Sequence, residues 1–555
     1  MRVLLLHADS IEYEATKKAL KSAEKDVPLK GSSENSLVVF VTVEPGDENV
    51  VEDVANDIIS QLKRLKVNRV VIYPYAHLSS VLEKPWKAIE VLKRLEELLK
   101  EKGVEVQRAP FGWYKRFSIS VKGHPLAELS RRYYPKERKL KYIKTFALTP
   151  DGDEIEVEKC NEEELKLLVN PPEPDQEKLE IVRKYCEKFG IIQSPLSPPG
   201  YFAYLPLSYF MFIAFTVYIS SKVHEFEIPF LPMKTPEVVL YPGGLPMIEG
   251  FLRHNEVFQH LELVKEEERP IGLFEMSVLF REEETEPCYR AKEFTVPRFR
   301  VVVNETGDLY SLLLSIHEFV HNEAEKLGRV YITSYTVTKN MYEKYRDLII
   351  KLVKRDNRCA LINLVEADND FIDAEMHIID VGGRPVEIGS WTVEKYSNSF
   401  SISTAPLGSF ERFMYLIFDN AAREYLSGKP PELPLWLSPI QVRIIPEDRD
   451  RLAYAMQVAE ELKSKGVRVD VDDRDVPLAE KLREAGKEWI PFVVLVGKRE
   501  EELKRIIVVR RNNDREDMSV EDLIKLIVEN LGEYPQLPQT LPLLYSKRPK
   551  IARPR

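Results

Sequence analysis

His317, Glu318 and His321 stand in the spacing His-Glu-x-x-His, inside a run from Tyr310 to Leu327 that reads as helical. Histidines four residues apart share one face of a helix and can chelate zinc, with the glutamate as base. The pattern leaves two of its five positions open, and the only acids that follow closely are the generic Glu323 and Glu325. The reading adopted is an amphipathic helix in which these side chains fell together, not a metalloprotease centre. The remaining soft ligands are four scattered cysteines, Cys160, Cys186, Cys288 and Cys359. No Cys-x-x-Cys pair exists, which fits reduced thiols in a cytosolic protein.

The elements that must carry any chemistry are spread over 555 residues, too many for one core, so two to four domains are expected. The net charge of -10 excludes a protein that coats itself in nucleic acid by charge alone, though not an RNA-binding enzyme with a local patch. The most apolar stretch, Tyr201 to Ile219, contains Pro206 and ends in polar residues, so a membrane span is not expected. Residues 1–142 alternate strands (Val3–His7, Leu37–Val43, Arg69–Pro74) with charged helical segments (Glu12–Glu24, Glu52–Leu65, Pro85–Lys102). Residues 143–180 are acidic and contain Pro171-Pro-Glu-Pro174, which predicts a linker. Residues 181–430 read as a larger α+β region. After the proline-rich boundary at 430–436, residues 433–540 alternate again: strands at 440–445, 467–471, 491–496 and 505–510, and helices at 448–465, 478–486 and 519–530. Residues 541–555 form a basic tail; its last nine carry five basic side chains and no acidic one, the mark of a solvated segment.

Three long pieces of the first domain are informative: Tyr73-Pro-Tyr-Ala-His-Leu-Ser-Ser80, Pro110-Phe-Gly-Trp-Tyr-Lys115 and Ser120-Val-Lys-Gly-His-Pro-Leu-Ala-Glu-Leu-Ser130. Together they resemble the editing domain of archaeal-type threonyl-tRNA synthetases, which is similar in fold to D-aminoacyl-tRNA deacylases. The resemblance implies hydrolysis of the ester in seryl-tRNA(Thr). It makes Lys115 the key side chain and places Tyr114, His77, Ala76 and Glu128 at the other pocket positions, several acting through their backbones. His124 is read as structural. An aminoacyl ester is already activated, so a bound water and stabilisation of the developing oxyanion can suffice, and a lysine ammonium can polarise that water. The need for a second pocket is physical: a synthetic site shaped for threonine gains only about 1–3 kcal/mol against serine from one methyl group.

The last domain contains Leu433-Pro-Leu-Trp-Leu-Ser-Pro-Ile-Gln-Val442, Asp472-Asp-Arg474, Ile490-Pro-Phe-Val-Val-Leu-Val-Gly497 and Ile507-Val-Val-Arg-Arg511. It resembles the anticodon-binding domain of class II synthetases of the threonyl and prolyl group. At family level Glu500, Arg510 and Arg511 become the candidates for reading anticodon base edges. Between the two modules, Thr235-Pro236, Phe280-Arg281 through Thr295, and Gly408-Ser-Phe-Glu-Arg412 resemble the three class II motifs. That family holds zinc through one cysteine and two histidines. The matching positions here are Glu249, Arg300 and Ser403. With no thiolate and no imidazole the resemblance predicts no zinc, and the shortened second-motif loop counts against ATP binding as well.

The expected molecule is therefore a multidomain α/β and α+β protein: a deacylase-like editing domain, a degenerate class II antiparallel-sheet core and an α/β anticodon-binding domain. Its expected activity is hydrolysis in trans of mischarged seryl-tRNA(Thr), with no cofactor required. Its expected partners are tRNA(Thr), a separate catalytic synthetase and a second copy of itself, in the cytoplasm and away from DNA and membranes. The alternatives are a complete threonine–tRNA ligase with a metal-free site and a non-enzymatic tRNA(Thr)-binding protein.

Overall fold

The computed structural model describes residues 1–25, 27–44, 47–79, 82–124, 126–133, 140–193, 198–225, 230–232, 269–280, 289–304, 309–367, 369–396 and 399–549. Thr235-Pro236, Glu249 and Arg281 lie outside them. The chain divides into two compact units, the first ending at Lys139 and the second running from Leu140 to the C-terminus apart from a short internal segment.

The first unit is built on β1 (Arg2–Lys18), β2 (Lys30–Thr42), β3 (Arg69–Pro74), β4 (Glu105–Arg108), β5 (Trp113–Val121) and β6 (Glu128–Arg132). The sheet order is β4-β3-β2-β1-β5, with β6 on the same edge of β1 as β5. The segment Glu12–Glu24, expected as a helix, continues β1 as far as Lys18. Its residues alternate, with Ile11 and Tyr13 buried and Glu12 exposed, and both its edges are hydrogen-bonded. Period two with two partners outweighs the helix propensity of a glutamate-rich run. The helices Val51–Leu65 and Pro85–Glu101 cross over between parallel strands. They cover one aliphatic face of the sheet, to which β2 gives Leu37, Val39 and Val41 and β3 gives Val70 and Ile72. The intervening positions Val38, Phe40, Val71 and Tyr73 form the opposite, aromatic face.

The second unit holds β7 (Lys141–Leu148), β8 (Glu154–Ile155), β9 (Ile191–Gln193), β10 (Phe202–Tyr204), β11 (Phe230–Pro232), β12 (Ile271–Phe280), β13 (Glu293–Asn304), β14 (Ile332–Thr338), β15 (Ala360–Glu366), β16 (Phe371–Ile379), β17 (Pro385–Tyr396) and β18 (Ser399–Ala405). Ten of these form one sheet in the order β11-β12-β13-β18-β17-β16-β14-β15-β7-β8, antiparallel except at β11·β12 and β14·β15. The expected linker 143–180 is a correction: β7 pairs with β15 through Leu148 opposite Ala360, and Phe146 and Leu148 are core residues. Its second half folds as the helices Glu163–Val169 and Gln176–Phe189. The acidic, proline-marked surface of this segment hid a minority of apolar side chains that the sheet buries. The apolar helix Pro206–Ser221 lies in the core through Phe210, Met211, Ala214 and Phe215, and among the described residues no helix is long and apolar enough to cross a membrane.

The C-terminal module adds β19 (Val442–Pro446), β20 (Val469–Val471), β21 (Phe492–Val496), β22 (Ile506–Arg510) and β23 (Arg515–Met518), ordered β20-β19-β21-β22-β23. The expected boundary at 430–436 is an anchor: Leu433, Trp436 and Leu437 are buried, and Trp436 stacks on Tyr534 at 4.8 Å. The expected tail is corrected over its described part, residues 541–549. Leu544 bridges to Val471, Tyr545–Lys547 forms a turn, and Arg548 pairs with Glu488 at 3.1 Å and with Asp470. Asp470 and Arg443 are both fully buried, so a basic residue that reaches their carboxylate cluster is worth more as a structural ion than as solvated charge.

Candidate active site

Lys115 lies on β5 with Phe117 and Ile119, at alternate positions facing the aromatic side of the first unit. Its ammonium donates to the carbonyls of Pro110 at 3.0 Å and Trp113 at 3.3 Å, and sits 4.9 Å from the centre of the Tyr73 ring. An ammonium has three N–H donors. The third has no partner among the described residues. Burial pulls its pKa down to about 8, while the Glu24 carboxylate opposes the fall. The result is a cation held by two carbonyl dipoles and a π face, with one donor left to offer.

The turn that supplies those carbonyls is itself held. Glu24 accepts from the Phe111 N–H at 3.0 Å, its backbone carbonyl accepts from the Trp113 indole at 2.8 Å, and its carboxylate takes both terminal nitrogens of Arg108 at 2.6 and 3.0 Å. Arg108 also donates to Glu96 at 2.6 Å. Gly112 has φ of +79°, and a Cβ there would meet the Ala23 Cα at 2.9 Å, so only glycine allows this close approach.

Ala76 and His77 lie on the short turn Ala76–Leu78 after β3, both exposed. The His77 ring meets Tyr75 at 5.2 Å, Tyr75 meets Phe40 at 5.2 Å, and Phe40 meets Tyr73 at 5.0 Å, so an unbroken aromatic path joins His77 to the Lys115 cation. Tyr114 is 62% exposed and, one residue from Lys115 on a strand, points to the opposite face. Its carbonyl accepts from Thr16 at 3.1 Å. Glu128 begins β6 opposite Leu6, exposed, and shares no hydrogen bond with Lys115 or His77 among the described residues. His124 accepts from the Leu126 N–H through Nδ1, which leaves Nε2 to donate to His7 Nδ1 at 2.9 Å. The sequence reading missed Tyr73 and Glu24 as parts of the site. Period two along β3 marks the first, but nothing local marks Glu24, whose partners lie 84 and 87 residues away.

In the second unit, β13 and β18 pair with Arg300 opposite Ser403. A guanidinium has no lone pair to give a metal and a lone hydroxyl is a poor zinc ligand, so these two positions do not fit the zinc of the resembled family. Arg412, which the resemblance places in the third class II motif, forms an ion pair with Glu387. His377, beside this pair, is pulled down to about 4 by burial, against the Glu387 charge and with that of Arg412.

The His-Glu-x-x-His helix, Leu309–Glu325, buries His317 and His321 and exposes Glu318. A third group does stand beside the histidines: Asp356 Oδ1 lies 2.9 Å from His317 Nε2 and 2.7 Å from His321 Nε2. The Trp391 indole donates to His317 Nδ1 at 3.1 Å, which places the His317 proton on Nε2, toward Asp356. That ring therefore has no lone pair for a metal, and the outward Glu318 cannot serve as base to a metal at this place. Burial alone would raise the Asp356 pKa, but the two imidazoles hold it well below the usual carboxylate range. The cluster is a core polar network.

Of the anticodon candidates, Glu500 caps its own helix, accepting from the Gly497 N–H at 3.0 Å. Arg510 pairs with Glu516 at 3.0 Å, and Arg511 donates to the carbonyls of Gly486 at 2.8 Å and Pro431 at 2.7 Å. Arg510 is thus held by an exposed ion pair, whereas Arg511 also ties its strand end to the segment before Leu433.

Residues 1–133 match the archaea-specific editing domain of threonyl-tRNA synthetase, and residues 441–530 match an anticodon binding domain. A protein of Thermofilum pendens named threonine–tRNA ligase is 36% identical, in a match that covers 100% of each chain. One of Pyrobaculum neutrophilum with the same name is 34% identical, covering 99% of this chain and 100% of its own. Among solved structures, the RNA binding domain of a Cryptosporidium parvum threonyl-tRNA synthetase superposes with a TM-score of 0.54 at 16% identity, over 64% of this chain and 98% of that one. A threonyl-tRNA synthetase chain of Aeropyrum pernix does so with 0.51 at 15% identity, over 66% and 99%. The structural likenesses speak for the fold alone. The end-to-end sequence match, with an editing module at one end and an anticodon module at the other, shows that this chain belongs to the threonyl-tRNA synthetase family.

Proposed function

We propose that the protein hydrolyses seryl-tRNA(Thr) in trans and makes little or no threonyl-tRNA itself. The observation that carries the editing half is the Lys115 ammonium, desolvated against Tyr73 with one N–H unspent. Such a donor can orient a water or stabilise the oxyanion that forms when an ester carbonyl is attacked, and in a dry site it does so at far greater strength than in bulk water. A pocket around it that clashes with the extra methyl of a threonyl group would supply the selectivity that a synthetic site lacks. Arg300 opposite Ser403 supports the negative half, since the amino-acid-recognising metal of the family has no ligand there.

A second reading is supported by the relatives, which match this chain from end to end and are named threonine–tRNA ligases. In it the chain is a complete ligase with a divergent, metal-free site. Paired assays on one purified sample decide. Deacylation of seryl-tRNA(Thr) that is lost in Lys115→Ala, with no threonine-dependent pyrophosphate exchange, supports the proposal. Threonine-dependent exchange and charging of tRNA(Thr) by the chain alone would replace it with the ligase. Absence of both activities would leave a tRNA-binding protein.

A further inference from the structure

Two clusters of metal-ligating side chains stand outside the editing site among the described residues: His317, His321 and Asp356, and Cys160, Glu162 and Cys359. Trp391 fixes the first as a hydrogen-bonded network. The second is held by the Cys359 N–H donated to Glu162 and by contacts of the Cys359 thiol with Cys160 and Glu162. Cys160 follows the turn Val157–Lys159 after β8, and Cys359 immediately precedes β15. Both β8 and β15 pair with β7 at Leu148, opposite Glu154 on one side and Ala360 on the other, so the register brings the two cysteines to one corner of the large sheet.

We propose that Cys160, Cys359 and Glu162 form a binding site for a thiophilic divalent cation of the zinc class, with water as a further ligand. The two sulfurs and a carboxylate oxygen lie within 4.8 Å of one another, as the corners of a tetrahedral sulfur–oxygen shell require. Glu162 is fixed in place because Oε1 accepts from the Cys359 N–H at 2.7 Å, across 197 residues of sequence. Its other oxygen, Oε2, is shielded from solvent and has no hydrogen-bond partner among the described residues. A buried carboxylate oxygen without a partner, beside two soft ligands, is the arrangement a cation completes.

The charge balance is favourable. Two thiols and one carboxylate carry a charge of minus one. When the cation enters, each thiol releases its proton, two protons leave, and the site still carries minus one. The bound cation would clip the segment that follows β8 to the start of β15.

The test uses the full-length chain, purified under reduction, stripped with a chelator and titrated with Co2+ as the spectroscopic stand-in for zinc. The expected result is one cobalt per chain with thiolate-to-metal charge-transfer absorption, bleached by equimolar zinc. Cys160→Ser and Cys359→Ser should each abolish that band, and Glu162→Gln should weaken binding by about tenfold or more. Circular dichroism of the stripped variants must match that of the stripped parent, so that loss of the band is not loss of fold. No thiolate band in the parent, or a band that survives Cys160→Ser, overturns the proposal. So does recovery of the two sulfurs as a disulfide after anaerobic purification.

Discussion

On the proposed function, seryl-tRNA(Thr) hydrolysis should fall as pH rises through about 8, because the proposal uses the ammonium form of Lys115 and its pKa is displaced to that value from an ordinary 10.5. The displacement corresponds to about 3 kcal/mol of lost preference for the charged form. Its cause is burial, which outweighs the Glu24 carboxylate. At pH 7 about nine-tenths of the free enzyme carries the ammonium, and at pH 9 about one-tenth does, so kcat/KM should drop by roughly tenfold across that interval. The assay is release of labelled serine from seryl-tRNA(Thr), with uncatalysed ester hydrolysis subtracted at each pH. Lys115→Arg retains a positive charge at every pH tested and should flatten the profile. Lys115→Met keeps the length without the charge and should cost about 100-fold or more, the scale of losing one oxyanion donor. A catalysed rate that climbs through pH 8 would refute the reasoning, since it would mean that the neutral amine acts as a base. The linkage has a definite sign. The folded state sheds the Lys115 proton at about 8 and the unfolded chain at its ordinary 10.5, so between those values the first unit gains stability as pH rises.

Further outcomes follow from the same contacts. Glu24→Gln removes the charge that supports the Lys115 ammonium and should move the falling limb of the profile to lower pH, which a merely structural loss would not do. Asp356→Ala takes the hydrogen-bond acceptor from His317 and the ion-pair partner from His321 and should destabilise the second unit by about 2–3 kcal/mol, read by denaturant unfolding, without reducing deacylation of seryl-tRNA(Thr). Arg443→Met takes from the fully buried Asp470 its buried partner and leaves it only Arg548, which should cost about 1–3 kcal/mol in the C-terminal module; an unchanged unfolding transition would contradict the buried-pair assignment. Truncation before Tyr545 should lower the stability of that module as well as any tRNA affinity, whereas a purely solvated tail would change only the latter.

Much of this protein is written in its one-dimensional pattern. The helices Val51–Leu65 and Pro85–Glu101 follow from apolar spacing and the strand Arg69–Pro74 from its β-branched run, because each needs only its own residues to define the buried side. The contiguous pieces around Ala76-His77 and Tyr114-Lys115 carry the resemblance to the editing module, which is a match of motifs rather than of periodicity. Tertiary structure decided what distant partners decide. It made Glu12 to Lys18 a strand, because β2 and β5 flank it on both sides. It turned the acidic segment after Leu140 into sheet and helices and drew the basic tail onto Asp470 and Glu488, since burial of a few apolar or paired groups outweighs the polar average of a segment. It set Arg300 beside Ser403 across two strands, and gave His317 and His321 the acid that sequence spacing could not supply. Above all, Lys115 is named by sequence, but the depression of its pKa belongs to burial, and its two carbonyl partners and the Tyr73 ring are in place only once the sheet has formed.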